Sequence, residues 1–146
     1  MVTKEEIIEV NKKILAVSGT QYDVFGMMNS NNLEYAVDLA KEENRVPEQA
    51  AVFMQEIIRG QPFTNGNKRT AFETAKGVME SGGYVVRATE KEIIDFTKSV
   101  QTENKSKDDI VNWIEEKSEF TGTKKIFRIV TMNNVEKDKE LLKKMD

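Results

Sequence analysis

Two helical patterns of apolar residues are separated by a stretch that cannot itself be helix. The first pattern holds Ala50, Ala51, Phe53, Met54, Ile57 and Ile58; the second holds Ala71, Phe72, Ala75, Val78 and Met79. Between them runs Gln61-Pro62-Phe63-Thr64-Asn65-Gly66-Asn67-Lys68-Arg69-Thr70. Pro62 and Gly66 break the helical period, so the chain must turn there. Gly60 is expected to stop the first helix. Asn67 is expected to cap the second, which places Lys68 and Arg69 in its first turn. A helix start carries unpaired N–H groups and a partial positive charge, so it attracts anions, phosphate above all. The residues alone therefore predict a phosphate-binding loop between two buried helices. Phe63, an apolar ring inside a polar loop, is expected to plug into the core and hold the loop's shape. Gly66 is expected to let the backbone approach phosphate closely.

The rest of the chain supplies helices to surround this pair. Thr3-x-x-Glu6 is a capping box for a helix over 4–17, and Ser18-Gly19-Thr20 ends it. Residues 19–30 read as loop, with Met27 and Met28 filling gaps in the core. Asn31-Asn32 is expected to cap a helix bearing Leu33, Tyr35, Ala36 and Leu39, and Pro47-Glu48 opens the central helix. Gly82-Gly83 ends the helix after the loop, and Tyr84-Val85-Val86 is a short extended piece. Thr89-x-x-Glu92 and Ser106 each cap a further helix, the second with Trp113 in its core face. Ile126–Val130 reads as a strand, and Asn133-Asn134 as the cap of a lysine-rich last helix around Leu141-Leu142. The pattern is all-α with minor strand: a helical domain over 1–120 and an extension over 121–146.

Composition narrows the chemistry. Among 146 residues there is neither a cysteine nor a histidine, which removes disulfides, thiolate zinc sites and histidine catalysis. The net charge of −3 argues against direct nucleic-acid binding. No apolar run is long enough to span a membrane and no targeting segment opens the chain, so a cytoplasmic location is expected.

The loop also resembles the Fic/Doc signature, whose pattern is His-Pro-Phe-x-Asp/Glu-Gly-Asn-x-Arg. Pro62, Phe63, Gly66, Asn67 and Arg69 match it, and Lys68 followed by Arg69-Thr70-Ala71 resembles the Doc (death-on-curing) branch. Gln61 stands in the place of the histidine and Asn65 in the place of the carboxylate. The resemblance implies a helical bundle with the signature loop between two central helices. It also implies a site for ATP, or another nucleoside triphosphate, with Mg²⁺. The cofactor would lie against Thr64, Asn65, Gly66, Asn67, Lys68 and Arg69, with Asn65 a weak Mg²⁺ ligand. Gln61, Asn65 and Arg69 occupy the catalytic positions.

In the Fic branch, which transfers AMP to a hydroxyl, a glycine precedes the arginine and a second arginine follows three residues later. Here those places hold Lys68 and Phe72. The Doc branch shares these features; it phosphorylates a hydroxyl of a protein of the elongation factor Tu class and is restrained by a small antitoxin. The reading is a Doc-like toxin of a toxin–antitoxin system, weakened or silenced by Gln61, whose amide cannot accept a proton near neutral pH. The alternatives are a catalytically silent member that binds a nucleotide or a protein, an AMP-transferring enzyme, and a helical interaction domain whose loop is only a turn. Ser99-x-x-x-Glu103-Asn104 matches the spelling of an inhibitory helix found in some Fic proteins, but Phe72 removes the arginine such a glutamate would pair with.

Overall fold

The two helical patterns flanking the loop become the centre of the molecule. α3 (Val46–Gly60) starts with Pro47 in its first turn, and α4 (Asn67–Ser81) follows the loop. They pack on each other more extensively than any other pair of elements. Small residues make this possible: Ala50, Ala51, Ala71 and Ala75 are fully buried, as are Phe53, Met54, Ile57 and Met79. Phe53, Phe63 and Phe72 are the largest side chains wholly out of solvent. Each contributes about 1.5–3 kcal/mol of burial.

The computed structural model describes residues 1–145. α1 (Lys4–Ser18) lies on α4, and its Thr3–Glu6 capping box forms as expected. α2 (Ser30–Lys41), α5 (Glu90–Thr102) and α6 (Lys107–Glu116) cover α3. The boxes Thr89–Glu92 and Ser106–Asp109 close the starts of α5 and α6. Trp113 of α6 stacks on Phe96 of α5, ring centroids 4.2 Å apart. β1 (Tyr84–Val86) and β2 (Ser118–Phe120) form a two-stranded antiparallel sheet against α4. α7 (Phe127–Lys137) and α8 (Lys139–Lys143) complete the bundle, α7 on α4 and α1, and α8 on α1. Among the described residues no helix is long and apolar enough to cross a membrane.

Four expectations change. Ile126–Val130 is not a strand: Phe127 begins α7, and the second strand lies earlier, at Ser118–Phe120. The reason is tertiary. Phe127, Val130, Thr131, Asn134 and Val135 turn inward at helical spacing, while Ile126 and Ile129 face solvent. A notch at Gly77 of α4 receives α7. A Cβ there would lie 2.0 Å from Thr131 Oγ1 and 2.8 Å from Phe127 Cε1. Packing into that notch outweighs the β-propensity of isoleucine and valine. Asn134 is consequently buried within α7, and α8 starts after Asp138 instead. Asn31-Asn32 does not cap α2, which begins at Ser30 after Asn29. Met28 is 58% exposed, so only Met27 packs against the core.

Candidate anion-binding site at the α3–α4 loop

Gln61, not Gly60, makes the turn out of α3. Its φ of 43° puts it in the left-handed region, and its amide still donates to Ile57 O at 3.2 Å. A side chain in that conformation is uncommon, and the surroundings enforce it. Asn29 Nδ2 donates to Gln61 O at 3.0 Å, and Asn32 Nδ2 donates to Gly60 O at 2.6 Å. Of the two asparagines expected to start α2, Asn32 thus holds the end of α3 instead, together with Asn29. Pro62 O accepts the amides of Met28, at 2.8 Å, and Asn29, at 3.1 Å.

Phe63 is fully buried, the plug its apolar ring implied. Asn67 does not cap α4; Gly66, with φ 80°, occupies that position. The Asn67 side chain closes the loop on itself instead. Its Oδ1 accepts the Phe63 amide at 3.0 Å, and its Nδ2 donates to Phe63 O at 2.9 Å. The next turn is clamped from both sides. Thr64 N donates to Gly26 O at 2.9 Å, and Asn65 Nδ2 donates to Val24 O at 3.0 Å. From α1, buried Asn11 donates to Asn65 O at 2.9 Å and to Thr70 Oγ1 at 3.0 Å. Gly66 also serves packing within the protein: a Cβ there would sit 3.2 Å from Asn11 Nδ2 and 3.3 Å from Leu15 Cδ2.

This clamping leaves a run of donors unused. The main-chain amides of Asn65, Gly66, Asn67, Lys68 and Arg69 make no hydrogen bond among the described residues. They stand at the start of α4, where the helix dipole adds positive potential. Arg69 is 5% exposed. One of its terminal nitrogens donates to Ser18 Oγ at 3.1 Å, and the other lies 3.5 Å from the Asp23 carboxylate. Its Nε is buried and without a partner. Lys68 is half-buried and makes no ion pair among the described residues.

Beside the amides is a cavity of about 520 Å³. Gln61, Thr64, Asn65, Gly66, Asn67, Lys68 and Arg69, the candidate catalytic and cofactor-binding residues, all line it. It adds others: Ser18 and Thr20 from the end of α1, Asp23, Gln101 of α5 and Lys143 of α8. The charged lining is Lys68, Arg69 and Lys143 against Asp23, a net positive surface. Lys143 was hidden in a lysine-rich tail that reads as a solvated helix, and Asp23 in an unpatterned loop; nothing local marks either. Glu103 of the Ser99–Asn104 stretch is directed to Lys105, 3.5 Å away, and does not line the cavity. Phe72 is buried in the core and supplies no cation. The described residues contain no group of three or more histidine, cysteine or acidic side chains able to hold a metal.

Fold and site together define an all-α domain whose central interhelical loop lines one cavity with residues that carry unbonded amides and two cations. The family model described as Fic/DOC family matches residues 2–76, a span that runs from α1 into α4 and includes the whole loop. The chain belongs to the Fic/DOC family. Neither the curated proteins nor the solved structures yield a match.

Proposed function

We propose that the chain is a Doc-like, nucleotide-dependent, protein-modifying domain that binds ATP at the α3–α4 loop. Its chemistry is phosphoryl transfer from ATP to a protein hydroxyl, weakened or abolished by Gln61. The observation that carries this reading is the run of five unbonded amides, Asn65 to Arg69, on residues that line one cavity with the Lys68 and Arg69 cations. Backbone donors at a helix start, reinforced by cations, suit phosphate oxygens. The buried, unpartnered Arg69 Nε fits the same ligand.

The fit for Mg²⁺ is poorer. Asn65 offers only a neutral carbonyl oxygen, because its Nδ2 is held by Val24 O. The Asp23 carboxylate is turned to Arg69 and to the Thr20 amide. Bound Mg²⁺ would neutralise phosphate charge, with Asn65 its protein ligand. Gln61 lines the cavity at the place of the signature's base, but its amide can position a hydroxyl and cannot take its proton. Losing a base typically lowers a rate by about 10²–10⁴. Phosphoryl transfer leans on positioning and electrostatics, so the amides and cations retain most of what this fold offers the reaction.

Protein as the second substrate is supported by Tyr22, Val24, Phe25 and Met28. These are exposed apolar side chains on the segment that clamps the loop. An elongation factor Tu class target and a separate small antitoxin are the partners this reading implies. Phe72 in the core favours phosphoryl over AMP transfer, because the second cation of the Fic signature is missing. A second reading, a silent nucleotide- or protein-binding member, is favoured by Gln61 and by the neutral, occupied amide of Asn65.

Calorimetric titration with ATP and ADP, with and without magnesium, tests the site. Lys68→Ala is expected to weaken binding by about 1.5–3 kcal/mol, as for a charged hydrogen bond. Equal affinity in both proteins would reject the assignment. ATP labelled at the γ position, compared with label at the α position, separates phosphoryl from AMP transfer, and label in neither product favours the silent member.

A further inference from the structure

The sheet is open on one side, and that side faces a groove. In the ladder, Tyr84 lies opposite Phe120, Val85 opposite Glu119 and Val86 opposite Ser118. The Arg87 amide donates to Lys117 O, at 2.6 Å, and the Thr121 amide to Gly83 O, at 2.8 Å. The pair Val85–Glu119 is therefore the hydrogen-bonded one, flanked by single bonds at Gly83–Thr121 and Arg87–Lys117, because the Gly83 amide goes to Glu80 O and the Lys117 amide to Trp113 O. The strand residues on either side of Val85 turn their N–H and C=O groups the other way. Tyr84 and Val86 thus present an edge of main-chain groups directed away from β2. Among the described residues these groups make no hydrogen bond. Neither side chain is charged or proline, the usual guards of an open edge.

α7 stands on that open side. Between it and β1 lies a groove of about 630 Å³ that shares no lining residue with the cavity at the signature loop. Lys76 and Glu80 of α4 form its floor, Val85 and Val86 one wall, and Ile126 and Ile129 the other. Ile126 is 68% and Ile129 58% exposed, so an apolar ridge faces the unpaired edge. The rim is basic: Lys125 and Lys137 line it, while Glu80 of the floor is the acidic lining residue. Lys76 pairs with Asp138 and Lys125 is 4.0 Å from Glu80, while Lys137 has no ion pair among the described residues.

We propose that this groove is a docking site for an extended, acidic segment of a partner protein, which adds to β1 as a third strand. The unused main-chain groups of Tyr84 and Val86 select an extended backbone. The Ile126–Ile129 ridge takes its apolar side chains, and Lys137 with Lys125 selects acidic residues between them. A partner held here sits on α4 and α7, away from the anion cavity, and leaves the signature loop open.

The test presents the full chain with display libraries of peptides of about eight residues, a typical strand with margin. Apolar positions alternate with acidic ones in one library and with basic ones in the other. Binders are expected from the acidic library only. In their presence the amide hydrogens of Tyr84 and Val86, fast to exchange in the free chain, become slow. Val86→Pro removes one edge N–H without touching the β1–β2 ladder, and Ile129→Glu spoils the opposite wall. Each is expected to weaken a selected peptide about tenfold, and methylation of alternate peptide nitrogens to abolish binding. If Val86→Pro does not fold, Ile129→Glu and the methylated peptide carry the comparison. No enrichment, equal enrichment from the basic library, binding that survives Ile129→Glu and methylation, or protection of the two amides in the free chain would each overturn the proposal. So would selected peptides that bind as helices.

Discussion

Replacing Asn67 by alanine separates two roles that its place in the signature leaves merged. In the structure both polar atoms of this side chain are spent inside the loop, on the amide and the carbonyl of Phe63. Neither atom is left to meet a ligand, while its own main-chain amide is free. Asn67→Ala should therefore act first on stability. Two hydrogen bonds, each worth about 0.5–1.5 kcal/mol net, make a loss of about 1–3 kcal/mol. For a chain of this size that lowers the thermal midpoint by roughly 2–5 °C per kcal/mol. The helix itself should persist, because Gly66 and not Asn67 occupies the cap position. Nucleotide affinity should fall as well, since the five amides lose the brace that holds their directions. The assay is thermal and urea unfolding of both proteins, with ATP titration of each. An unchanged midpoint together with lost affinity would refute the reasoning and make the side chain a direct ligand.

Further outcomes follow from other parts of the structure. Gly77→Ala puts a methyl group against Thr131 and Phe127; it should destabilise by about 1–3 kcal/mol, as overpacking does, and loosen α7, seen as faster amide exchange there. An unchanged exchange pattern would show that the notch does not seat the helix. Glu73 is fully buried on α4, and neither carboxylate oxygen has a hydrogen bond of standard geometry. Burial first, and then the neighbouring Asp138 and Glu80, hold its carboxyl well above the usual range. A raised folded-state pKa gives stability that is full in acid and is lost as pH rises through it. Glu73→Gln should thus stabilise at neutral and alkaline pH and make little difference in acid; equal stability of the two proteins at every pH would sink this assignment. Gln61→His should raise phosphoryl transfer by about 10²–10⁴ if the scaffold is otherwise intact, and the left-handed backbone there tolerates histidine better than most residues. Transfer as slow as before would locate the defect elsewhere, with Asn65 the first suspect.

Much of this molecule was legible along the chain because its signals are local. Two capping boxes, the Ser106 cap, the Gly82-Gly83 stop and the apolar periods of α3 and α4 each depend on residues within a turn or two of one another. The same holds for the loop. Pro62 and Gly66 force a turn, Phe63 has to be buried, and Lys68 and Arg69 arrive at a helix start whatever packs around them. The two cations at the start of α4 were thus set by the sequence itself.

What the neighbours do with each residue was decided only in three dimensions. Asn67 turned back to Phe63 because Gly66, able to take a positive φ, stood at the cap. Met28 went to solvent because the segment before it runs along the loop and not beneath it. Residues 127–137 became helix because Gly77, far away in sequence, leaves a notch of helical shape. Asp23 and Lys143 reached the cavity from loops and helices with no pattern to announce them. A chain encodes turns and caps through adjacent atoms, whereas the walls of a site and the choice between helix and strand at an ambiguous apolar run rest on contacts between residues remote in sequence.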